Sequence, residues 1–166
     1  MKLRPYEAAD VKAVAGWISD ERTHAMWSAN RFSFPLKEAE FASFLTSLHE
    51  STGDMPFIAE DENGEAVGFF CCPMGRGAEE RMLKFIIVDS SRRGRGYGKE
   101  MLRLAAAQAF EDGAPAVTLN VFTVNERAKR CYLGAGFEER SSTENAFAFK
   151  DELWGRCSMV MKNRAE

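Results

Sequence analysis

Ile86-Ile87-Val88-Asp89-Ser90-Ser91-Arg92-Arg93-Gly94-Arg95-Gly96-Tyr97-Gly98-Lys99 decides how this chain folds. The run Met82 to Asp89 is too apolar to be half solvated, so it reads as a central strand covered on both faces. Glycines at 94, 96 and 98 follow it, and Lys99 to Phe110 then supplies Ala, Leu and Met, which are strong helix formers. A strand, a glycine turn and a helix in that order aim the unpaired N–H groups of the first helical turn at one point, which is an anion site. Glycine lets the backbone approach an anion with no Cβ in the way. Arg92, Arg93, Arg95 and Lys99 add cationic donors suited to phosphate oxygens. The expected ligand carries several negative charges.

Downstream, Asp112-Gly113-Ala114-Pro115 stops the helix before a β-branched strand, Val117 to Phe122. Asn125 can cap a second helix running to about Leu133, with Gly134 and Gly136 at its end. Phe137 to Arg140 and Trp154 to Lys162 supply two last strands. Ser141 to Glu152 reads as a loop between them, although Phe147 and Phe149 leave a longer hairpin arm open.

Upstream, Phe57 to Glu60 and Ala66 to Cys72 flank the turn residues Asp61-Glu62-Asn63-Gly64 and predict an antiparallel hairpin. Leu36 to Leu48 reads as a helix started at Pro35, with Phe41, Phe44, Leu45 and Leu48 inward. Asp20 to Phe34 has no period and reads as irregular. Before it, Asp10 caps a helix carrying Val11, Val14, Ala15 and Ile18, and Lys2 to Tyr6 gives a short first strand.

At 166 residues the chain is the size of one domain, and no repeat or linker divides residues 1–166. A net charge of −3 gives no global attraction to nucleic acid or to an anionic membrane. Cys71, Cys72, Cys131 and Cys157 lack metal-ligand spacing, so no metal is expected and a reducing setting fits them. The first residues show no apolar signal region and no later stretch approaches a membrane span, so the expected location is cytoplasmic.

Other glycine motifs fail. A P-loop would need glycine at Arg93 and Ser or Thr at Glu100, and a dinucleotide fingerprint starting at Gly96 would need glycine at Met101. An RNA-binding Arg-Gly tract belongs in low-complexity sequence, not between a buried strand and an amphipathic helix.

Arg93-Gly94-Arg95-Gly96-Tyr97-Gly98 resembles the signature of the GNAT superfamily of acyl-coenzyme A N-acyltransferases: Arg or Gln, two residues, Gly, one residue, Gly or Ala. The resemblance extends to the strand ending Ile86-Ile87-Val88-Asp89 and to Asn125 through Gly136-Phe137, about half the chain. It implies an α/β fold with a mixed, mostly antiparallel central sheet flanked by helices, and parallel strands that splay at the cofactor site. It also implies that backbone groups of Ile86, Ile87 and Val88 hold the pantetheine arm, and that the 93–98 turn with Lys99 takes the pyrophosphate. Asn125 corresponds to a cofactor-contacting asparagine and Tyr132 to a tyrosine near the sulfur. Seven residues span almost two helical turns, which independently leaves Asn125 and Tyr132 on nearly one face.

Amide formation from a thioester requires a neutral amine, a stabilised oxyanion and a proton for the leaving thiolate. By the resemblance, the Val88 N–H meets the oxyanion and Tyr132 protonates the sulfur. A nucleophilic role for Cys131 finds no oriented base, since His24 and His49 are distant in sequence. Relatives often place a carboxylate base early in the strand before the glycine turn or midway along the next strand. Here those neighbourhoods offer Met82-Leu83-Lys84 and Asn120. This implies a water relay to Glu79, Glu80, Asp20 or Glu21, or an amine that arrives neutral. Asp20, Glu21, His24 and Trp27 fall where the family builds its acceptor pocket, and could bind a cationic amine by charge and cation–π contact.

The expectation is therefore an acetyl-CoA dependent N-acetyltransferase acting on a small-molecule or peptide amine, monomeric or homodimeric, with neither nucleic acid nor membrane as partner. A non-catalytic sensor of coenzyme A or its esters is the alternative.

Overall fold

The chain enters with β1 (Lys2–Pro5), passes through α1 (Val11–Gly16), α2 (Glu21–Ser28) and α3 (Glu38–Thr52), and then forms a meander of β2 (Asp54–Glu60), β3 (Ala66–Pro73) and β4 (Arg81–Val88). From there α4 (Tyr97–Glu111) crosses to β5 (Ala116–Phe122), and α5 (Glu126–Ala135) leads to a closing hairpin, β6 (Glu138–Phe149) and β7 (Glu152–Lys162). The computed structural model describes residues 1–164. Its strands form one seven-stranded sheet in the order β1-β2-β3-β4-β5-β7-β6. The β4–β5 pair is parallel and the other neighbours are antiparallel.

β4 lies in the middle of the sheet, as its apolarity predicts, and is covered on both faces. One cover is α4 with α5, where Leu83, Met101, Leu102, Leu119, Phe137 and Met159 form the core. The other is α1 to α3, where Val14, Trp27, Phe41, Leu45, Ile58 and Phe69 are buried. Such burial, at roughly 1.5–3 kcal/mol for each large apolar side chain, is the main favourable contribution to the fold.

Three expectations are corrected. Residues 21–28 form a helix, not an irregular stretch: its buried face carries His24, Ala25, Trp27 and Ser28, so polar side chains hide the apolar period. Its cap is Asp20, whose Oδ1 accepts from the Thr23 N–H at 2.8 Å. The expected loop from Ser141 to Glu152 is instead the longer hairpin arm that Phe147 and Phe149 left open: residues 141–149 belong to β6, whose outer residues 138–145 are exposed and therefore polar, while Phe149 packs with Trp154 and Ala25. Asp10 makes no side-chain cap for α1. Its carboxylate accepts from the Glu7 N–H and from both terminal nitrogens of Arg4, each at 2.8 Å, tying β1 to the helical layer.

Candidate active site

The glycine turn has the conformation its composition predicts. Gly94 and Gly96 have φ of 80° and 83°, a left-handed region that side chains disfavour. Gly96 is the N-cap of α4 and has no side chain to offer, so the first N–H groups of that helix stay uncapped. Arg93, Arg95 and Lys99 are exposed and make no ion pair among the described residues.

Arg92 behaves differently from its neighbours. Its Nη1 lies 2.5 Å from Asp61 Oδ2, its Nη2 reaches Glu65, and its Nε lies 3.6 Å from Asp89. It is a strut between the turn and the β2–β3 hairpin and not a free phosphate donor. A cation that sequence reasoning missed stands near the turn instead. Partial burial first, and then the neighbouring charge of Arg127, lower the Arg93 pKa. Arg127 lies two residues beyond Asn125 in the first turn of α5, so a second cation at a helix start was the available signal.

Two glycines let α4 and α5 approach. A Cβ at Gly98 would meet the Cys131 Sγ at 2.9 Å, and one at Gly134 would meet Lys99 Cε at 2.5 Å. Lys99 therefore lies across the end of α5, beside the turn.

Below the turn the parallel ladder opens. β4 and β5 pair at Arg81–Val117, Met82–Thr118 and Leu83–Leu119 and no further. Phe85, with φ of 52°, sits at a bulge where the β3–β4 register shifts between Phe69–Ile87 and Cys71–Lys84. The extra residue inverts the facing of the strand. Leu83 faces α4 and α5, yet Ile87, four residues on, faces the α1–α3 layer, while Ile86 and Val88 pack toward α4 and α5. The Asp89 N–H donates to Val67 O at 2.8 Å. Antiparallel alternation then gives Ile87 main-chain groups to β3 and turns those of Val88 toward β5.

Tyr132 belongs to the core cluster against which Ile86 and Val88 pack and is 7% exposed. Its hydroxyl has no hydrogen bond among the described residues, and it is not one of the sealed, unpartnered side-chain atoms. Burial pushes its pKa well above the ordinary phenol value, so it is protonated at neutral pH. Asn125 caps α5 through its Oδ1, which accepts from the Ala128 N–H at 3.3 Å, leaving its amide nitrogen without a partner among the described residues.

The acceptor-side candidates separate. His24 is 1% exposed and its Nε2 lies 2.7 Å from Phe32 O; Trp27 is 9% exposed and its Nε1–H donates to Phe85 O at 2.8 Å. Both are interior, so neither presents a ring face to a solvent-borne amine. Asp20 is the α2 cap and Glu21 lies 3.1 Å from Lys150 Nζ. Glu80 binds Arg140 through both oxygens, at 2.8 and 2.6 Å, whereas Glu79 is exposed with no ion pair among the described residues. Asn120 Nδ2 lies 3.9 Å from Met82 Sδ, and Lys84 Nζ is 2.6 Å from the buried Asp54. An open cleft of about 410 Å³ adjoins this side, lined in part by Glu21, Phe34, Glu40 and Phe149.

No helix among the described residues is long and apolar enough to cross a membrane, and no side-chain cluster there could hold a metal ion. An uncapped glycine turn thus lies beside the parallel pair that opens, in a mixed sheet flanked by helices. The chain belongs to the acetyltransferase (GNAT) family, whose model matches residues 20–137. In fold it is similar to spermidine N-acetyltransferase from Vibrio cholerae in complex with CoA and spermine, at TM-score 0.78 and 17% identity over 97% of this chain and 94% of that one. It is also similar to ribosomal-protein-alanine N-acetyltransferase from Brucella melitensis, at TM-score 0.74 and 21% identity over 98% of this chain and 100% of that one.

Proposed function

We propose that this protein transfers an acetyl group from acetyl-CoA to a primary amine by direct attack. The observation that carries the reading is the opening of the β4–β5 ladder after Leu83–Leu119, directly before an uncapped glycine turn with unpaired arginines. A phosphorylated acyl thioester has the chemistry that this arrangement would receive. Arg93, Arg95, Lys99 and the backbone from Gly94 to Gly98 would take its phosphates, with Arg127 as a further cation. The free amide of Asn125 and the backbone of Ile86 and Val88 would hold its arm, with Ile87 contributing packing.

In the reaction the amine lone pair forms a bond to the acetyl carbon and the oxygen becomes an oxyanion, to which the Val88 N–H donates. Collapse breaks the carbon–sulfur bond, the thiolate takes the Tyr132 proton, the nitrogen loses its proton to water, and the Tyr132 phenolate regains a proton from solvent. The raised Tyr132 pKa keeps that donor loaded through the physiological range. Asp20 and Glu21 remain the acceptor-side carboxylates of this reading, whereas His24 and Trp27 support the pocket from within. Its water relay would end at Glu79, the candidate carboxylate with neither an ion pair nor a hydrogen bond among the described residues.

Acetyl-CoA at a hundredfold its Kd should stabilise the fold by about 2.7 kcal/mol in a thermal melt. Thiol release across a panel of amines then identifies the acceptor. Absence of a melting shift rejects the donor assignment; a shift with no turnover on any amine favours the coenzyme A sensor.

A further inference from the structure

Phe85 combines features that rarely coexist in a central strand. Its φ of 52° is disfavoured for a bulky side chain. The register shift places Phe85 and Ile86 together against Phe70, so the Phe85 carbonyl leaves the regular ladder. A carbonyl inside a protein needs a partner. That partner is the Trp27 indole N–H at 2.8 Å, from a side chain in the buried layer of α2.

The same layer holds the rest of the bulge. Phe44 meets the Phe85 ring edge-on at a centroid distance of 5.2 Å, and the Arg31 guanidinium lies over that ring at 5.6 Å. The consequence falls on the opposite face. Without the extra residue, Ile86 and Val88 would face the α1–α3 layer, since a strand alternates with period two. With it they pack against the α4–α5 core cluster, of which Tyr132 is a member, and the ladder to β5 ends immediately before.

We propose that Trp27 is a positioning residue: through its hydrogen bond to the Phe85 carbonyl it holds the β4 bulge that turns Ile86 and Val88 into the cleft, and so sets the geometry in which the donor thioester binds. The part concerning the donor rests on the acetyl-CoA reading above; the part concerning the bulge does not. Because α2 also packs Ala25 and Met26 against Phe149 and Trp154 of the closing hairpin, the same helix links the strand that opens the cleft to the hairpin beyond it.

Trp27→Phe deletes the N–H while keeping a ring in the aromatic cluster. Phe41→Leu perturbs the same cluster, where Phe41 meets Trp27, Phe32 and Phe69 but makes no ring contact with Phe85. Both variants should melt at lower temperature than the parent. Only Trp27→Phe should speed amide hydrogen exchange at residues 85–88 beyond what its loss of stability explains, and raise the acetyl-CoA Kd about tenfold, while Phe41→Leu leaves that Kd within twofold. Equal exchange at residues 85–88 in the two variants, compared at matched stability, would overturn the proposal. If the parent itself binds no acetyl-CoA, the donor reading fails, and the exchange result alone still decides whether Trp27 holds the bulge. Should Trp27→Phe not fold, the benzothiophene analogue of Trp27, which replaces N–H by sulfur at constant shape, is put through the same exchange measurement.

Discussion

Gly98 and Cys131 hold α4 and α5 at a separation that admits no further side chain, since a Cβ on Gly98 would lie 2.9 Å from the Cys131 sulfur. Gly98→Ala should therefore destabilise the protein by overpacking, by about 1–3 kcal/mol, and weaken acetyl-CoA binding at the adjoining turn. Cys131→Ala removes the clashing atom, so the double variant should recover most of the loss. Melting curves for the parent, both single variants and the double variant give the coupling; additive losses would show that the contact is not the cause.

Tyr132→Phe removes a hydroxyl that has no hydrogen bond among the described residues and is not sealed from solvent, so folding should be little affected. Turnover measured by thiol release should fall by roughly 10²-fold, as expected for loss of a general acid, with the acetyl-CoA Kd unchanged. Burial also keeps the phenol protonated beyond its ordinary pKa. The absorbance difference between parent and Tyr132→Phe should therefore show no phenol ionisation near pH 10. A step there would mean that the hydroxyl is solvated.

Asn125 has two separable ends. Its Oδ1 caps α5, and its amide nitrogen has no partner among the described residues. Asn125→Ser should keep most of the cap and lose the amide donor, giving near-parent melting with weaker acetyl-CoA binding. Asn125→Ala should lose both, at about 1 kcal/mol of additional destabilisation. Calorimetric titration and melting of both variants would test the division; equal acetyl-CoA affinity in Asn125→Ser and the parent would leave Asn125 as a cap alone.

The Glu65 N–H first, and then the Asn63 N–H and Arg92, hold Asp61 below the ordinary aspartate range despite its burial. A depressed carboxylate contributes stability fully above its unfolded pKa of about 3.9 and loses that contribution as pH falls through the lower folded value. Melting temperature should thus be insensitive to Asp61 between pH 7 and about 5 and decline below about 4. Asp61→Asn should melt lower at neutral pH and show a shallower acid slope, because Arg92 then keeps only Glu65 and Asp89 of its three carboxylate partners; parallel acid slopes for the two proteins would argue against the strut.

Much of this architecture is legible in the amino-acid sequence. The apolar density of Met82 to Val88 requires a strand covered on both faces, the glycines at 94 and 96 mark positions of positive φ, and the Asn125 to Tyr132 spacing places a cap and a phenol along one helix. These are local properties, set by backbone sterics, helix geometry and the solvation of nearby groups, so the sequence carries them. The α2 helix is hidden because its inner face includes His24 and Ser28, which are tolerated there only once a neighbouring layer supplies partners such as Phe32 O. The outer part of β6 is hidden because an exposed edge strand needs no apolar alternation.

What tertiary structure alone decided is which side chains are committed to one another. Four neighbouring cations look equivalent in the sequence, yet Arg92 is bound to Asp61 and Glu65 while Arg93 and Arg95 stay unpaired, because the β2–β3 hairpin folds against one and not the others. Trp27 reads in the sequence as a surface for an amine and is instead a buried donor to Phe85. The bulge itself follows from no local pattern: a phenylalanine adopts a left-handed backbone only because the α1–α3 layer holds its ring and its carbonyl from residues far away in the chain. Sequence marks the glycine turn and its cations; long-range packing decides which of those cations are paired and which strand opens beside them.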